Sequence, residues 1–264
     1  MKALVTAEIV KLVRQPALLF FGFLSVAFLS ILFKFGMEGF VYLRTGRRSA
    51  GDLDIFLSAA NSLGISGNSM GHLLHAIGIG SIFYLDYRYQ TWRLLVPRHS
   101  RAELYAAKFF VCIGFLAAGL LLAVAGDLVL TVIRALASEA GMSGLTVSAS
   151  SFLVLLTALS VALLELAVLT AFVAVVVVIT RTMITAAISA FLLAIGSSIL
   201  QIYLGRDADS LPLPSYAAQA ARDWLLSGGS TMAGGLGVIV LMLWLAVLPA
   251  LGMAILSRQQ LATE

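Results

Sequence analysis

The sequence has 264 residues, of which 61% are hydrophobic and only 11% are charged, with a formal net charge of +4. Soluble domains carry about 25% charged residues, so this chain has too few polar side chains to cover a globular surface in water. The composition excludes a soluble enzyme, a disordered regulator and a secreted disulfide scaffold. It predicts a single transmembrane domain over residues 1–264, in which the only cysteine, Cys112, is a packed thiol without a disulfide partner.

The chain begins with a short amphipathic segment that ends at Pro16. Apolar residues recur there at the spacing of one helix face, while Glu8, Lys11 and Arg14 supply polar positions. A helix of this kind lies along the membrane surface rather than crossing it. We therefore predict an amphipathic helix over residues 1–16.

Six apolar runs follow, each close to the roughly 20 residues that one membrane-spanning helix needs. Membrane-spanning strands alternate in polarity over about ten residues, whereas these runs are continuously apolar, so the predicted fold is an all-α polytopic bundle. The predicted spans are residues 17–33, 62–85, 107–131, 152–179, 183–204 and 233–256.

The links between the spans differ in character. Residues 37–61 are predicted to form a loop, and Lys34 before it should reach lipid head groups from the end of the first span. Residues 205–232 form the predicted outer loop, which contains two prolines and a short interfacial helix over residues 216–226. Asp127 is placed by helix length near the outer interface, where a carboxylate is cheap to solvate.

The distribution of positive charge sets the expected orientation. With six spans both ends lie on one side, and this side holds more of the 17 Lys and Arg residues than the other. Because cytoplasmic loops are enriched in Lys and Arg, we expect both termini in the cytoplasm. The basic residues are interpreted as topology determinants and lipid contacts, not as a nucleic-acid surface.

The segment between the second and third spans, residues 86–106, mixes charged and apolar side chains. A charged loop that anchors span ends at phospholipid is one interpretation. However, Trp92 and the three apolar residues after Arg93 are more apolar than a solvated loop requires. Such a segment also suits insertion into a groove of a cytoplasmic partner.

The spacing of residues in this segment resembles the first intracellular loop of permeases of the type-2 ABC exporter family. The matching residues are Asp86, Thr91, Leu94, Leu95, Pro97, Arg101 and Lys108. Glu8, Lys11 and Arg14 before the first span resemble the elbow helix of the same family. Six spans and a short outer helix before the last span also fit, so the resemblance covers the whole chain.

The resemblance implies a multi-pass permease of the cytoplasmic (inner) membrane that works as a homodimer or with a close paralogue. Two copies of a separate ATPase subunit would bind ATP and Mg, and this chain, which lacks a phosphate-binding loop motif, would carry no cofactor. The expected substrate is amphipathic or apolar, such as a lipid, a peptide or an antibiotic. The expected contacts to the ATPase are Asp86, Arg88, Thr91, Trp92, Arg93, Pro97, Arg98 and Arg101, and Glu8, Lys11 and Arg14 would contact either the ATPase or lipid head groups.

Three polar residues fall near the middle of predicted spans. Glu165 lies near the bilayer midplane, where an unpaired carboxylate is expensive and is by default a functional candidate. A protonated Glu165 bonded to a neighbouring Ser or Thr is the structural alternative. His75 lies about 16 Å along its helix from Asp86, and His72 is one turn further out. We predict that His72 or His75 faces Glu165.

Three other interpretations remain open. Met70, His72 and His75 could hold a metal, although two histidines on one helix supply few ligands. Residues 64–67 read Gly-Ile-Ser-Gly, and Ser66 could be the nucleophile of an intramembrane serine protease, but it shares one span with both histidines. An accessory membrane subunit without transport activity is the third alternative.

Overall fold

Helices account for most of the structure, a computed structural model that describes residues 1–46, 53–91, 96, 99–137, 141–204 and 211–259. A helical chain satisfies its backbone hydrogen bonds internally, as an apolar solvent demands. Strands are limited, in these ranges, to β1 (Leu53–Asp54) and β2 (Leu145–Thr146), which pair in parallel. The α-helices are α1 (Lys2–Val13), α2 (Pro16–Leu19), α3 (Ser25–Thr45), α4 (Ile55–Ser62), α5 (Ser69–Arg88), α6 (Arg101–Ala137), α7 (Ala149–Thr180), α8 (Met183–Leu204), α9 (Pro214–Ser227) and α10 (Thr231–Arg258).

Five helical segments of the described chain are long and apolar enough to cross a membrane. Their number and length give the chain the architecture of a multi-pass membrane protein. Helix α5 has 20 residues but contains two histidines and three glycines, and it is less apolar than these five. The five segments are Pro16–Arg44, Arg101–Ala137, Ala149–Thr180, Met183–Leu204 and Thr231–Arg258.

The first apolar helix is much longer than its predicted span of residues 17–33. Helix α2 continues through a π-helical turn (Phe20–Leu24) into α3, which ends only at Thr45. Lys34 therefore lies inside a helix and does not end it. Its ammonium group forms an ion pair with Asp127 of α6 and donates a 3.1 Å hydrogen bond to Ser58, so the charge is neutralised within the protein. The depth of Asp127 along its helix had suggested a carboxylate that is solvated at the membrane interface. In the structure Asp127 is buried instead.

The prediction of a loop over residues 37–61 is also partly wrong. Its first part belongs to α3, and its last part forms α4, which begins after Asp54. The Asp54 carboxylate accepts hydrogen bonds from the backbone N–H groups of Phe56 and Leu57, as an N-cap residue does. Residues 47–52 lie outside the described residues.

The predicted second span, residues 62–85, is not a single helix. A 3-10 turn (Leu63–Gly67) follows α4, and α5 begins only after Asn68. The Asn68 side chain accepts hydrogen bonds from the N–H groups of Met70 and Gly71, which caps α5. The interruption places Ser66 in non-α backbone in contact with α7.

The later helices lie close to their predicted positions. The predicted helix over residues 183–204 is confirmed with the same bounds, and helices cover the predicted spans 107–131, 152–179 and 233–256 with extensions at both ends. The short helix predicted before the last span is present as α9, with Pro214 at its first turn, where proline is favoured. Its Tyr216, Ala217, Ala218 and Ala221 are buried, and the helix packs on α7 and α10.

Helix α7 lies at the centre of the bundle. In its most apolar stretch 72% of the residues are buried, compared with 17% in α10. Close helix crossings involve glycine: a Cβ built on Gly22 would lie 2.5 Å from the Cα of Gly78, so α5 and the π-helical turn meet backbone to backbone. Cys112 is completely buried in this core.

Candidate functional site

A cluster of four polar residues, the Glu165 cluster, surrounds the carboxylate of Glu165 in the centre of the protein. The cluster consists of Ser66, His72, Glu165 and Arg222. Arg222 Nη1 lies 2.5 Å from Glu165 Oε2 and donates a second, 3.2 Å bond to Ser66 Oγ. Ser66 Oγ donates to the same carboxylate oxygen at 2.7 Å. Because Glu165 is only 3% exposed, its charge is stabilised by Arg222 and Ser66 and not by solvent.

Four separate elements bring these residues together. The 3-10 turn carries Ser66, α5 carries His72, α7 carries Glu165 and α9 carries Arg222. Gly67 makes room for the guanidinium group, since a Cβ at this position would lie 2.7 Å from Arg222 Nη2. From the sequence, Arg222 was expected in an outer loop, and its contact with Glu165 was not predicted. Alanines on one face of α9 were the available signal that the helix packs inside.

The prediction that His72 or His75 faces Glu165 is confirmed for His72. Its Nε2 lies 4.0 Å from Glu165 Oε1, and neither of these buried atoms has a hydrogen-bond partner among the residues that the structure describes. His75 has a different neighbour, because its Nδ1 lies 3.0 Å from the carbonyl oxygen of Gly22 in the π-helical turn. A carbonyl oxygen only accepts, so His75 carries a proton on Nδ1.

A small pocket of about 80 Å³ lies beside His72 and Glu165 of the Glu165 cluster. Apart from His72 and Glu165 its lining is almost wholly apolar and comes from α7, α8, α10 and the start of α9. Trp244 of α10 is fixed at the wall by a 2.9 Å hydrogen bond from its Nε1 to the carbonyl oxygen of Pro212. The principal apolar wall residues are Val168, Leu169, Phe172, Leu193, Trp244 and Leu248.

A second group of charges, the α1 network, consists of Glu8 and Lys11 of α1, Asp86 of α5 and Lys108 of α6. Lys108 Nζ lies 2.7 Å from Asp86 Oδ2 and 3.2 Å from Glu8 Oε2, and it also donates to the carbonyl oxygen of Ile82. Lys11 Nζ lies 2.6 Å from Glu8 and 3.4 Å from Asp86. The network therefore ties α1 to the end of α5 and the start of α6.

The ionisation of Lys11 reflects this pairing. Partial burial opposes its charged form, but the hydrogen bond to Glu8 and the nearby Asp86 carboxylate outweigh burial and raise the pKa of Lys11 above its usual value. Lys11 thus remains charged at any physiological pH. In contrast, Arg14 at the end of α1 is exposed.

The residues predicted to contact an ATPase differ in their exposure and in their contacts within the chain. Asp86 is 2% exposed, and it accepts a 2.5 Å hydrogen bond from Thr91 in addition to its ion pairs. Arg88 is exposed and lies over the ring of Tyr89. Arg101 Nη1 lies 2.6–2.8 Å from three carbonyl oxygens at the end of α10. The remaining predicted contacts, Trp92, Arg93, Pro97 and Arg98, lie outside the described residues.

Helix ends meet at the two ends of the α5–α6 linker, which is formed by residues 89–100. Arg101 bonds the end of α10, and Gln259, which follows α10, donates to the carbonyl oxygen of Val178 near the end of α7. Tyr87 of α5 donates to the same glutamine at 3.1 Å. Together with the α1 network, these contacts attach both ends of the linker to α1, α7 and α10.

The geometry of the described residues supports neither the intramembrane serine protease nor the metal site at Met70, His72 and His75. The Ser66 hydroxyl is directed at Glu165, and the described residues contain no hydrogen bond from Ser66 to either His72 or His75. Met70 is 63% exposed, and across the described ranges no three His, Cys, Asp or Glu side chains form a group that could hold a metal ion.

Comparison with protein families, with curated proteins and with solved structures finds no match to this chain. The resemblance to type-2 ABC exporter permeases therefore rests on the residues quoted for it above.

Proposed function

We propose that this chain is the membrane-spanning permease subunit of an ATP-driven exporter of the type-2 ABC family. In this proposal α5 is a further span, which gives six, and α1 is the elbow helix on the cytoplasmic face of the inner membrane. Both termini are then cytoplasmic. The substrate is amphipathic or apolar, which agrees with a central pocket that has an almost wholly apolar lining.

One observation carries the proposal: both ends of the α5–α6 linker are attached to other helices. A partner that moved the linker would pull on α1 through Asp86 and Lys108, and on α10 through Arg101. A simple connecting loop needs no such attachments. Buried ion pairs resist breaking because the orphaned charge is costly, so displacement of the linker would move these helices together.

The proposal assigns two kinds of role to the linker region. Asp86, Thr91 and Arg101 are positioning residues, since their polar atoms are used within the chain. Arg88, Trp92, Arg93, Pro97 and Arg98 are the proposed contacts to the ATPase. Two copies of that subunit would bind ATP and Mg, and a second permease subunit, identical or paralogous, would complete the transporter in the lipid bilayer.

The test is to purify the native complex through a tag on this chain, reconstitute it in lipid nanodiscs and measure ATP hydrolysis. We expect ATPase activity to copurify with the wild type and to be lost in Trp92→Ala and Arg93→Ala. The matched control is Arg44→Ala. Arg44 is exposed near the end of α3, and the Glu38–Arg134 ion pair of 3.1 Å joins this region to the end of α6 remote from the linker.

Three outcomes decide between the functions. ATPase activity that is lost in the linker variants and retained in Arg44→Ala supports the permease. A folded chain that carries no ATPase would contradict the permease and favour an accessory membrane subunit. Equal loss in all three variants would also contradict a specific role of the linker.

A further inference from the structure

We propose that a groove between the ends of α3 and α6 binds a zwitterionic phospholipid whose head carries a primary ammonium group, as in phosphatidylethanolamine. In this complex the phosphate lies at Arg134 and the ammonium group lies at Glu38. We call this cleft the Glu38 groove. Besides these two charged residues, its principal lining residues are Phe35, Met37, Gly39, Tyr42, Leu130 and Ile133.

The Glu38 groove has room for a ligand. Its volume is about 530 Å³, whereas the pocket beside the Glu165 cluster has about 80 Å³. Small-molecule sites commonly enclose about 300–1,000 Å³. Phe35, Met37 and Ile133 are each roughly half exposed, so the groove offers uncovered apolar surface. In a bilayer, an acyl chain is the apolar partner at hand for such a surface.

The groove lies at the depth of lipid head groups. Arg134 follows Lys108 of the α1 network by about 39 Å along α6, at about 1.5 Å per residue. The hydrocarbon core of a bilayer is about 30 Å thick, and the head groups bring the total to about 40–45 Å. With Lys108 at one boundary of the hydrocarbon core, Arg134 and Glu38 lie among the head groups of the opposite leaflet. Only the assignment to the outer leaflet rests on the proposed function.

The ion pair of Glu38 and Arg134 presents both signs of charge to a ligand. The pair has a distance of 3.1 Å, lies in the groove, and leaves each side chain just over a quarter exposed. In the described part of the chain neither residue has a further ion pair or hydrogen bond. A guanidinium group has five N–H donors, and a bidentate contact with one carboxylate uses two of them, so donors remain for a phosphate. Glu38 likewise keeps lone pairs for an ammonium group.

Charge balance selects the head group. The charges of Glu38 and Arg134 cancel, so an anionic phospholipid would bring negative charge to Glu38 as well as to Arg134. A zwitterionic head matches both residues. A trimethylammonium group lacks the N–H donors that a carboxylate binds, whereas a primary ammonium group has three. Hydrogen bonds to charged groups are stronger than those between neutral groups, so the difference between the two ammonium groups should be measurable as affinity.

Native mass spectrometry of the full-length chain in detergent tests the site. The protein is titrated with phosphatidylethanolamine, phosphatidylcholine and phosphatidylglycerol that carry identical acyl chains, and the lipid-bound fraction gives a Kd for each. We expect phosphatidylethanolamine to bind about fivefold more tightly than phosphatidylcholine, and also more tightly than phosphatidylglycerol.

Two glycines of α3 provide a matched pair of variants. At both Gly36 and Gly39, no described atom beyond the neighbouring backbone of the helix lies within 4 Å of an added Cβ, so both tolerate a side chain. Gly39 lines the groove and Gly36 is not among its described lining residues. Gly39→Phe should therefore fill the groove and abolish the preference for phosphatidylethanolamine, and Gly36→Phe should retain it.

A second pair of variants tests the head-group contact. Glu38→Gln removes the negative charge at similar size and should abolish the preference for phosphatidylethanolamine over phosphatidylcholine. Arg44→Gln, at an exposed position on the same helix, should retain it. A partly exposed ion pair contributes little to stability, so Glu38→Gln should fold. If it does not, the three lipids and the two glycine variants still decide.

Each outcome supports or overturns the proposal. Equal affinity for phosphatidylethanolamine and phosphatidylcholine would overturn the ammonium contact, and tightest binding of phosphatidylglycerol would reduce the site to a basic surface. A preference that persists in Gly39→Phe would overturn the groove as its location. A dimer that is lost in Gly39→Phe and kept in Gly36→Phe would assign the groove to a second copy of the chain. Since the titration needs no ATPase, selective lipid binding by a chain without associated ATP hydrolysis would leave the lipid site standing and reject the exporter.

Discussion

Arg222 donates a 2.5 Å hydrogen bond to the carboxylate of Glu165 from a position 57 residues further along the chain. This ion pair joins α9 to the most buried helix of the bundle. It explains how a carboxylate is accommodated in α7, which is apolar over most of its length, and it fixes one end of the pocket. The consequences of breaking it can be measured.

Removal of Arg222 alone should lower the stability of the protein more than removal of both partners of the Glu165–Arg222 ion pair. Arg222→Met leaves Glu165 buried with Ser66 as its remaining strong partner, and we expect the free energy of unfolding to fall by about 3–5 kcal/mol. The double variant Glu165→Gln/Arg222→Met should be more stable than Arg222→Met alone. Unfolding in mixed micelles on titration with sodium dodecyl sulfate measures both, and Arg14→Met on the exposed end of α1 serves as the control. A double variant less stable than the single one would show that charge pairing is not what holds α9.

His72 and His75 should differ in their coupling to Glu165, although they lie one turn apart. His72→Phe and Glu165→Gln remove groups 4.0 Å apart, so their effects on stability should deviate from additivity by at least about 0.5 kcal/mol. His75 bonds the Gly22 carbonyl, and the corresponding cycle with Glu165→Gln should be additive within about 0.5 kcal/mol. Additivity in both double-mutant cycles would refute the coupling of His72 to Glu165.

The α1 network should hold α1 against the bundle. Lys108→Met leaves the carboxylates of Glu8 and Asp86 with Lys11 as their remaining cation among the described residues, and we expect a loss of about 3–5 kcal/mol in stability. Detachment of α1 should also accelerate tryptic cleavage after Lys11 and Arg14. Lys2→Gln, at an exposed position of the same helix, should leave the cleavage rate unchanged. An unaltered rate in Lys108→Met would mean that apolar packing alone retains α1.

Two glycine-to-alanine substitutions in the first apolar helix should have opposite effects on the stability of the protein. In Gly22→Ala the new Cβ would meet the backbone of Gly78 at 2.5 Å, so the helices must separate, at a cost of about 1–3 kcal/mol. At Gly36, no described atom beyond the neighbouring backbone of its own helix lies within 4 Å of such a Cβ, and Gly36→Ala should stabilise the helix by up to about 1 kcal/mol. Thermal unfolding of the two variants side by side provides the comparison, and a neutral Gly22→Ala would show that this helix crossing is loose.

Much of the fold follows from apolar run length. Helices α6, α7, α8 and α10 are evident from the sequence because long apolar segments leave few other solutions in lipid. The importance of Glu165 is evident for the same reason, since a carboxylate in such a run is costly. The proximity of His72 to it followed from depth along the helix.

What could not be predicted depends on tertiary pairing. Lys34 appeared to end a span because its partner, Asp127, is remote in sequence. Arg222 was assigned to the outer loop because its partner, Glu165, is remote in sequence, although the alanines on one face of α9 are a local sign that this helix packs inside. The break before α5 had a local signal, Asn68 as an N-cap, but the continuous apolar content around it concealed the boundary.

The complete burial of Cys112 has a practical consequence for spectroscopy. A maleimide reagent cannot reach this thiol in the folded protein, so the natural sequence already provides a background for site-directed spin labels. Cysteines introduced at exposed Arg88 and at Arg44 would carry the only reactive thiols, and pulsed electron resonance between their spin labels would report the distance between the two ends of the bundle.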